Sequence, residues 1–500
     1  MTNRISRRQF LTATSAFAAM SATPLWAEAP MESLRPTARS ADFIKKIQPD
    51  AAELIAKANL NGAVGFSVAD MSTGDLLESH NGAVGLPPAS VAKSLTACYA
   101  LQALGPGFQF ETQVMATGGV IDGTVQGDLI LIGGGDPTLD SDGLALLAAD
   151  MAAAGITGVQ GGFKIWRGPY PYLRGIDPGQ PDHVGYNPAV SGLNLNFNRV
   201  HFEWRKAGAD YAISMDARTG THRPKVTMAR MGVVSRSAPV YTYADVGGRD
   251  DWTVARGALG QGGSRWLPVR KPGLYAGEVF QTFALAHGVR LGPPELIDAR
   301  PEGEIVATLQ SAPLRIILRD MLKWSTNLTA EMVGLTATLA RTQTPPKSLA
   351  ESAEQMNAWG RETLGLTSMA FVDHSGLGEA SRISPQDMMS GLRQLRLRLG
   401  IKPLLKSFAM RDDQRRVIED HPLDVHAKTG TLNFVSGLAG FVDLPDGTEL
   451  VFAIFAADLE RRAKLTKAQR ERPDGGAAWN VRAKTLQQAL IERWGVVHAS

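Results

Sequence analysis

The sequence predicts an α+β protein in which an antiparallel sheet is covered by helices and a large β-rich insertion interrupts the chain. Three observations predict it. "GAVGFSVADMSTGDLLESHNG" (residues 62–82) reads as two strands about a turn at Thr73-Gly74-Asp75. Near the other end, "LAGFVDL" and "ELVFAIFAAD", joined by "PDGT", form a second hairpin, followed by the helical run "AAWNVRAKTLQQALIERWG". Between them lies a long stretch of short apolar runs broken by glycine and proline, then several helical patterns. Sheet from both chain ends with helices between is an α+β layer arrangement.

The elements follow in order. Of 500 residues, 44% are apolar and 20% charged, the balance of an ordinary globular chain, and the length allows roughly two to four domains. Residues 1–27 carry Arg4, Arg7 and Arg8, no acidic residue, and an alanine-rich apolar stretch ending in small residues near Ala27 and Ala29. This is the pattern of a cleaved export signal, and the Arg7-Arg8 pair followed by Phe10 and Leu11 is of the twin-arginine type. The formal charge of +3 resides in those three arginines, so the chain without them is neutral. Nothing then favours a nucleic acid or an anionic surface as partner. Cys98 is the only cysteine, which leaves no internal disulfide, no lipidation site at the signal boundary and no thiolate metal cluster. Beyond the signal no apolar run approaches the ~20 residues of a membrane helix. A periplasmic location is expected.

Residues 28–110 are the first part of the main domain. Residues 111–275, with "GTVQGDLILIGGGDPTL", "FKIWRGPYPYLRGIDPGQPD" and one helix at "DGLALLAADMAAAGI", are the β-rich insertion of one or two domains. Residues 276–500 resume the main domain through "GEVFQTFALAHGV", "LRIILRDMLKWSTNLTAEMVGLTATLAR" and "SAEQMNAWGRETLG".

The chemistry starts from "PPASVAKSLTACYAL" (87–101). Alanine, valine, leucine and tyrosine at helical spacing describe a core helix, in which a charged lysine is costly unless something pairs or uses it. Pro87 and Pro88 place Ser90 at the helix start, and Lys93 one turn later lies on the same face. A serine hydroxyl is a weak nucleophile until a base takes its proton, and a buried lysine with a depressed pKa can be that base. Ser-x-x-Lys alone is a weak signal. Two further elements strengthen it: Ser325-Thr326-Asn327 in "KWSTNLTAEM", and Lys428-Thr429-Gly430 in "HAKTGTLNFVSG", where the glycine is expected to let a substrate approach the strand. Ser79-His80-Asn81 and Lys484-Thr485-Leu486 are decoys that break the chain order.

Ser-x-x-Lys, Ser-x-Asn and Lys-Thr-Gly in this order are the signature of β-lactamases and penicillin-binding proteins. The chain resembles the D-alanyl-D-alanine carboxypeptidase/endopeptidases of the penicillin-binding protein 4, low-molecular-mass class C, family. The 235-residue gap from Ser90 to Ser325 matches that family's inserted domains. "GDLILIGGGDPTL" (127–139), "YNPAVSGLNLNFN" (186–198) and "VDHSGLG" (372–378) resemble family segments too. One departure is His374, where family members more often carry glycine.

The resemblance implies a β-lactamase-like transpeptidase fold and no cofactor or metal. Ser90 would attack the penultimate D-alanine carbonyl of a peptidoglycan stem peptide with Lys93 as base, and Ser325 would relay a proton to the leaving amine. Asn327 would hold Lys93 or the substrate amide. Lys428 and Thr429 would bind the terminal carboxylate and keep Lys93 deprotonated, with Gly430 and Thr431 alongside. The N–H groups of Ser90 and Thr431 would form the oxyanion hole. β-Lactams would be covalent inhibitors. A serine β-lactamase shares the motifs but is shorter and lacks the insertion. A non-catalytic wall-binding homologue would not need Ser90, Lys93, Asn327 and Lys428 intact.

Other signals are weaker. "IGGGDPT" has Thr138 where a dinucleotide loop needs its third glycine. Asp373-His374-Ser375 holds triad residue types, but sequence neighbours point apart, so it reads as a loop. His421 and His426 lack metal-ligand spacing. The "WRGPYPY" aromatics (166–172) read as surface residues of the insertion.

Overall fold

In the strands Val435–Asp443 and Glu449–Ala457 almost every residue is buried, because both faces of their sheet are covered. Val435, Ala439, Phe441, Val451, Ala453 and Phe455 enter one core. Their alternates Leu438, Val442, Leu450, Phe452 and Ile454 enter another. Side chains alternate across a strand, so a doubly apolar strand needs a layer on each side. The computed structural model describes residue 45 and residues 47–412 and 414–499. The expected export signal, residues 1–27, lies outside the described residues.

The main sheet has six strands in the order Lys406–Ser407, Asp424–Leu432, Val435–Asp443, Glu449–Ala457, Ala63–Asp70 and Leu76–His80. All neighbours are antiparallel. The chain ends meet inside the sheet, where Ala63–Asp70 pairs with Glu449–Ala457. The expected first hairpin forms with Gly74 at φ 84 in its turn. On one face lie Ala51–Ala58 and the last helix, Gly476–Val497, which inserts Trp479, Leu486, Leu490 and Trp494. On the other lie Ala92–Leu104, Leu314–Trp324, Asn327–Thr342, Leu349–Leu364 and Pro385–Leu399.

The insertion is larger than the sequence indicates. A five-stranded sheet runs in the order Pro294–Ile297, Phe163–Trp166, Leu129–Gly133, Glu111–Ala116 and Glu304–Gln310. Helix Pro272–Ala286 packs on it, with Phe280 stacked 5.8 Å from Phe163. The expected boundary at 275 is therefore corrected: residues 276–310 belong with the insertion. Helical periodicity says that a face is buried, not which sheet buries it, and Glu304–Gln310 finds its partner Glu111–Ala116 far back in the chain. The chain leaves the insertion where it entered. Ser311 N–H donates to Phe110 O (2.9 Å) and Phe110 N–H to Ser311 Oγ (2.9 Å).

Three further three-stranded sheets lie in the insertion, one built on Arg199–Ala207, one on Arg249–Ala255 and a small one centred on Thr124–Val125. Two of the aromatics of 166–172 also act as ties, although Tyr172 stays exposed as expected. Tyr170 OH reaches Thr336 on a main-domain helix (3.2 Å), and Tyr172 OH donates to Arg270 O (2.7 Å).

Candidate active site

Ser90 sits in a 3₁₀ turn, Ala89–Val91, that runs directly into helix Ala92–Leu104. Pro88 cannot continue a preceding strand, and Ala89 turns the chain with φ 47, a left-handed conformation costly for a residue with a Cβ. Such strain persists only where surrounding contacts over-determine it. Gly376 and Gly430 supply those contacts. A Cβ on Gly376 would lie 1.9 Å from Ala89 O, and one on Gly430 would lie 2.5 Å from Pro88 O and 3.0 Å from Ser90 N. The Lys-Thr-Gly glycine thus admits the backbone of the Ser90 turn against the strand, where the sequence reading expected substrate.

Helix Ala92–Leu104 is buried on every side from Ala92 to Leu101, Lys93 included. Lys93 Nζ reaches Ser90 Oγ (2.9 Å), Asn327 Oδ1 (2.7 Å) and the Ser375 carbonyl (2.7 Å). Ser375 O can only accept. Asn327 Oδ1 faces Lys93 because its Nδ2 donates to the Tyr186 carbonyl (2.8 Å), a contact made by the insertion. A neutral amine giving its two N–H bonds to these acceptors is left with its lone pair directed at Ser90 Oγ. Burial lowers the Lys93 pKa to about 8, against the pull of the Glu331 and Asp373 carboxyls. Removal from water is therefore the main cause that lets Lys93 lose its proton near neutral pH.

A second group stands beside the first. Lys428 Nζ donates to Ser325 Oγ (2.9 Å) and to Thr429 O (2.7 Å). Its pKa falls well below that of a free lysine through burial first, then the Lys93 and Lys406 charges. The apparent single helix of 314–341 breaks at Ser325, which caps Leu314–Trp324 at φ 60 before Thr326 extends and Asn327 opens the next helix. That break presents Ser325 to Lys428 and Asn327 to Lys93. Thr429 and Thr431 are exposed on the Lys428 strand, whose pairing with Lys406–Ser407 stops at Ala427. An open strand edge beyond Ala427 is free to pair with an extended peptide. Ser90, Lys93 and Asn327 thus stand together, Ser325 meets Lys428, Gly430 lies against the Ser90 turn, and Thr429 and Thr431 are exposed on the same strand as Lys428.

Three contributors were not read as functional from the sequence. The Asp373-His374-Ser375 segment is no triad, as expected, yet its Ser375 carbonyl holds Lys93. Glu331 lies fully buried as the one acidic residue of its helix, an anomaly like that of Lys93, and this was the signal available. Tyr186 acts through its backbone carbonyl, which no residue type announces. His426 pairs with Asp424 (3.3 Å). Among the described residues no group of three or more metal-ligating side chains occurs, and no helix is long and apolar enough to cross a membrane. Cys98 is buried, which raises its thiol pKa, as for an inert packing residue.

Comparison with known proteins agrees with this geometry. The chain is 28% identical over 452 residues to a D-alanyl-D-alanine carboxypeptidase of Actinomadura sp. (strain R39), covering 82% of this chain and 81% of that one. It is 24% identical over 440 residues to the D-alanyl-D-alanine carboxypeptidase DacB of Haemophilus influenzae, covering 83% and 90%. The fold matches the crystal structure of Haemophilus influenzae penicillin binding protein 4 with a TM-score of 0.69 at 20% identity, over 85% of this chain and 98% of that one. Residues 47–479 match the D-Ala-D-Ala carboxypeptidase 3 (S13) family, and with that span, that fold and this site the chain belongs to that family of hydrolases.

Proposed function

We propose that the protein is an exported serine D,D-carboxypeptidase and D,D-endopeptidase that cleaves D-Ala-D-Ala and cross-link bonds of peptidoglycan stem peptides through an acyl-enzyme on Ser90. The observation that carries this reading is the Lys93 amine, held by two obligate acceptors and turned toward Ser90 Oγ at 2.9 Å. Lys93 takes the Ser90 proton as Oγ attacks the penultimate D-alanine carbonyl. The tetrahedral oxyanion rests on the Ser90 and Thr431 N–H groups, each worth about 3 kcal/mol in such a role. The leaving amine is protonated through Ser325, which Lys428 holds and polarises. Lys428 and Thr429, with Gly430 behind them, receive the substrate's terminal carboxylate. Water then attacks the ester, with Lys93 again as base.

The arginine-bearing, acid-free segment of residues 1–27 supports a periplasmic location reached by the twin-arginine route. A Haemophilus influenzae penicillin binding protein 4 structure is complexed with a novel β-lactam, and the shared fold supports β-lactams as covalent ligands of Ser90 here. Intact mass spectrometry with benzylpenicillin tests the reading. A long-lived adduct on the parent, absent from Ser90→Ala, is expected. Penicillin consumed without a lasting adduct would instead mean a β-lactamase, and neither adduct nor turnover a non-catalytic homologue.

The base also fixes a pH dependence. Lys93 works as the neutral amine and its pKa is about 8, so the acylation rate is expected to rise roughly tenfold per pH unit below that value and to level off above it. Stopped-flow labelling across the range measures this, and a rate flat from pH 6 to 9 rules out Lys93 as the titrating base.

A further inference from the structure

Beneath Lys93 lies a buried polar assembly that the acyl-transfer steps do not use. Glu331, one turn beyond Asn327, accepts the His374 N–H at Oε2 and the Ser375 N–H at Oε1, both at 3.0 Å. Asp373 closes the same turn on itself, accepting N–H bonds from Gly376 (2.7 Å) and Gly378 (2.5 Å). The His374 carbonyl accepts from Thr96 Oγ1 on the nucleophile helix (2.7 Å). Its ring fills the space over Gly334, where a Cβ would come within 2.1 Å of His374 Cγ, and meets Ser352 Oγ at Nε2 (2.7 Å). Ser352 in turn donates to Thr338 (2.7 Å). Three helices therefore grip one turn, and the turn offers the Ser375 carbonyl to Lys93.

We propose that Glu331 is a positioning residue for acyl transfer, clamping the Asp373–Gly376 turn so that the Ser375 carbonyl takes one Lys93 N–H and leaves the lone pair aimed at Ser90. The inference rests on the acyl-enzyme reading above. A carboxylate sealed in a buried helix is costly, and its two oxygens serve the two consecutive N–H groups that immediately precede this carbonyl in the chain. Only a carboxylate offers two acceptors at that spacing with no competing donor. An amide would turn an N–H₂ against one backbone N–H and release that end of the clamp. His374, the departure from the more usual glycine, adds a tether to the same turn through Ser352.

The charged or titratable groups facing Lys93 are Glu331 on its helix, Asp373 in the turn and Lys428 on the strand, with His374 driven neutral by burial to a pKa of about 3. Glu331→Gln removes one negative charge from this set as well as one acceptor. Acylation by a fluorescent penicillin is measured between about pH 5.5 and 9.5 on the full chain, Glu331→Gln, Glu331→Asp and Ser90→Ala. Peptide kcat and KM and thermal unfolding are recorded alongside. Glu331→Gln is expected to acylate about 100-fold more slowly, the scale of an ångström of misplacement, with KM within about threefold of the parent. Its acid limb should move to lower pH, because a charge that held the proton on Lys93 is gone. Glu331→Asp should restore the limb but only part of the rate.

A parental rate and limb in Glu331→Gln overturns the proposal, as does a loss that merely tracks the folded fraction with the limb unmoved. If Glu331→Gln does not fold, Ser352→Ala decides. It cuts the His374 tether without changing charge and should slow acylation about tenfold, while a parental rate there overturns the clamp. If the parent takes no label that Ser90→Ala lacks, the acyl-enzyme reading has failed and the inference falls with it. Labelling of the parent alongside an unaffected Glu331→Gln fails the inference only.

Discussion

Replacing Lys93 by methionine is expected to abolish acylation by roughly ten-thousandfold while leaving substrate binding nearly unchanged, since a positioned general base contributes up to about that factor. Methionine has a volume similar to that of the buried Lys93 side chain but no lone pair basic enough for Ser90. The change also has a stability signature. Burial pushes the Glu331 and Asp373 carboxyls up, while their backbone N–H partners and the Lys93 cation pull them down. Without it the folded protein should bind protons on these carboxyls that the unfolded chain has released. An acid raised on folding stabilises below its unfolded pKa, and that stability is lost as pH rises toward the folded value. Unfolding temperatures of Lys93→Met should therefore fall more steeply than the parent's between about pH 5 and 8. A rate within tenfold of the parent, or parallel temperature profiles, would show that Lys93 is neither base nor counter-charge.

The Gly376→Ala variant is expected to carry the largest stability cost of any single methyl group added near Ser90. Gly376 has φ +73, and its Cβ would sit 1.9 Å from Ala89 O and 3.1 Å from Ala92 Cβ, both backed by the nucleophile helix. The strained backbone costs about 1 kcal/mol, and the forced shift of packed backbone brings the total to about 3 or 4 kcal/mol. Because the displaced atoms belong to the turn that carries Ser90, the molecules that do fold should acylate about 100-fold more slowly. Gly365→Ala is the control. It shares a left-handed φ of +69 but has open space around the Cβ, so only the backbone cost of about 1 kcal/mol applies. Denaturant unfolding with acylation rates per folded molecule separates the two, and equal costs at both sites would refute the contact argument.

Much of the site was legible because its signals are local. The Ser90 to Lys93 spacing is a helix turn, and Lys93 stands out as a charge inside an apolar run. Ser325-Thr326-Asn327 and Lys428-Thr429-Gly430 are each compact enough to recognise. The two terminal hairpins were legible for the same reason, since period-two alternation and a glycine turn need no distant partner. The end of the insertion was not. Residues 276–310 look like any amphipathic helix followed by short strands until Glu111–Ala116 is seen to pair with Glu304–Gln310.

By itself the sequence determined the α+β class and singled out Ser90, Lys93 and the two segments that meet them, because side-chain chemistry and short-range periodicity are written residue by residue. Only the tertiary structure decided how Lys93 is aimed. The groups that aim it are the Ser375 carbonyl, the Tyr186 carbonyl behind Asn327, and the Glu331 carboxylate that grips two backbone N–H groups. Two of these are main-chain atoms, common to nearly every residue, and the third acts across a long stretch of chain. Their roles come from where the fold brings the backbone, and residue identity alone does not encode that.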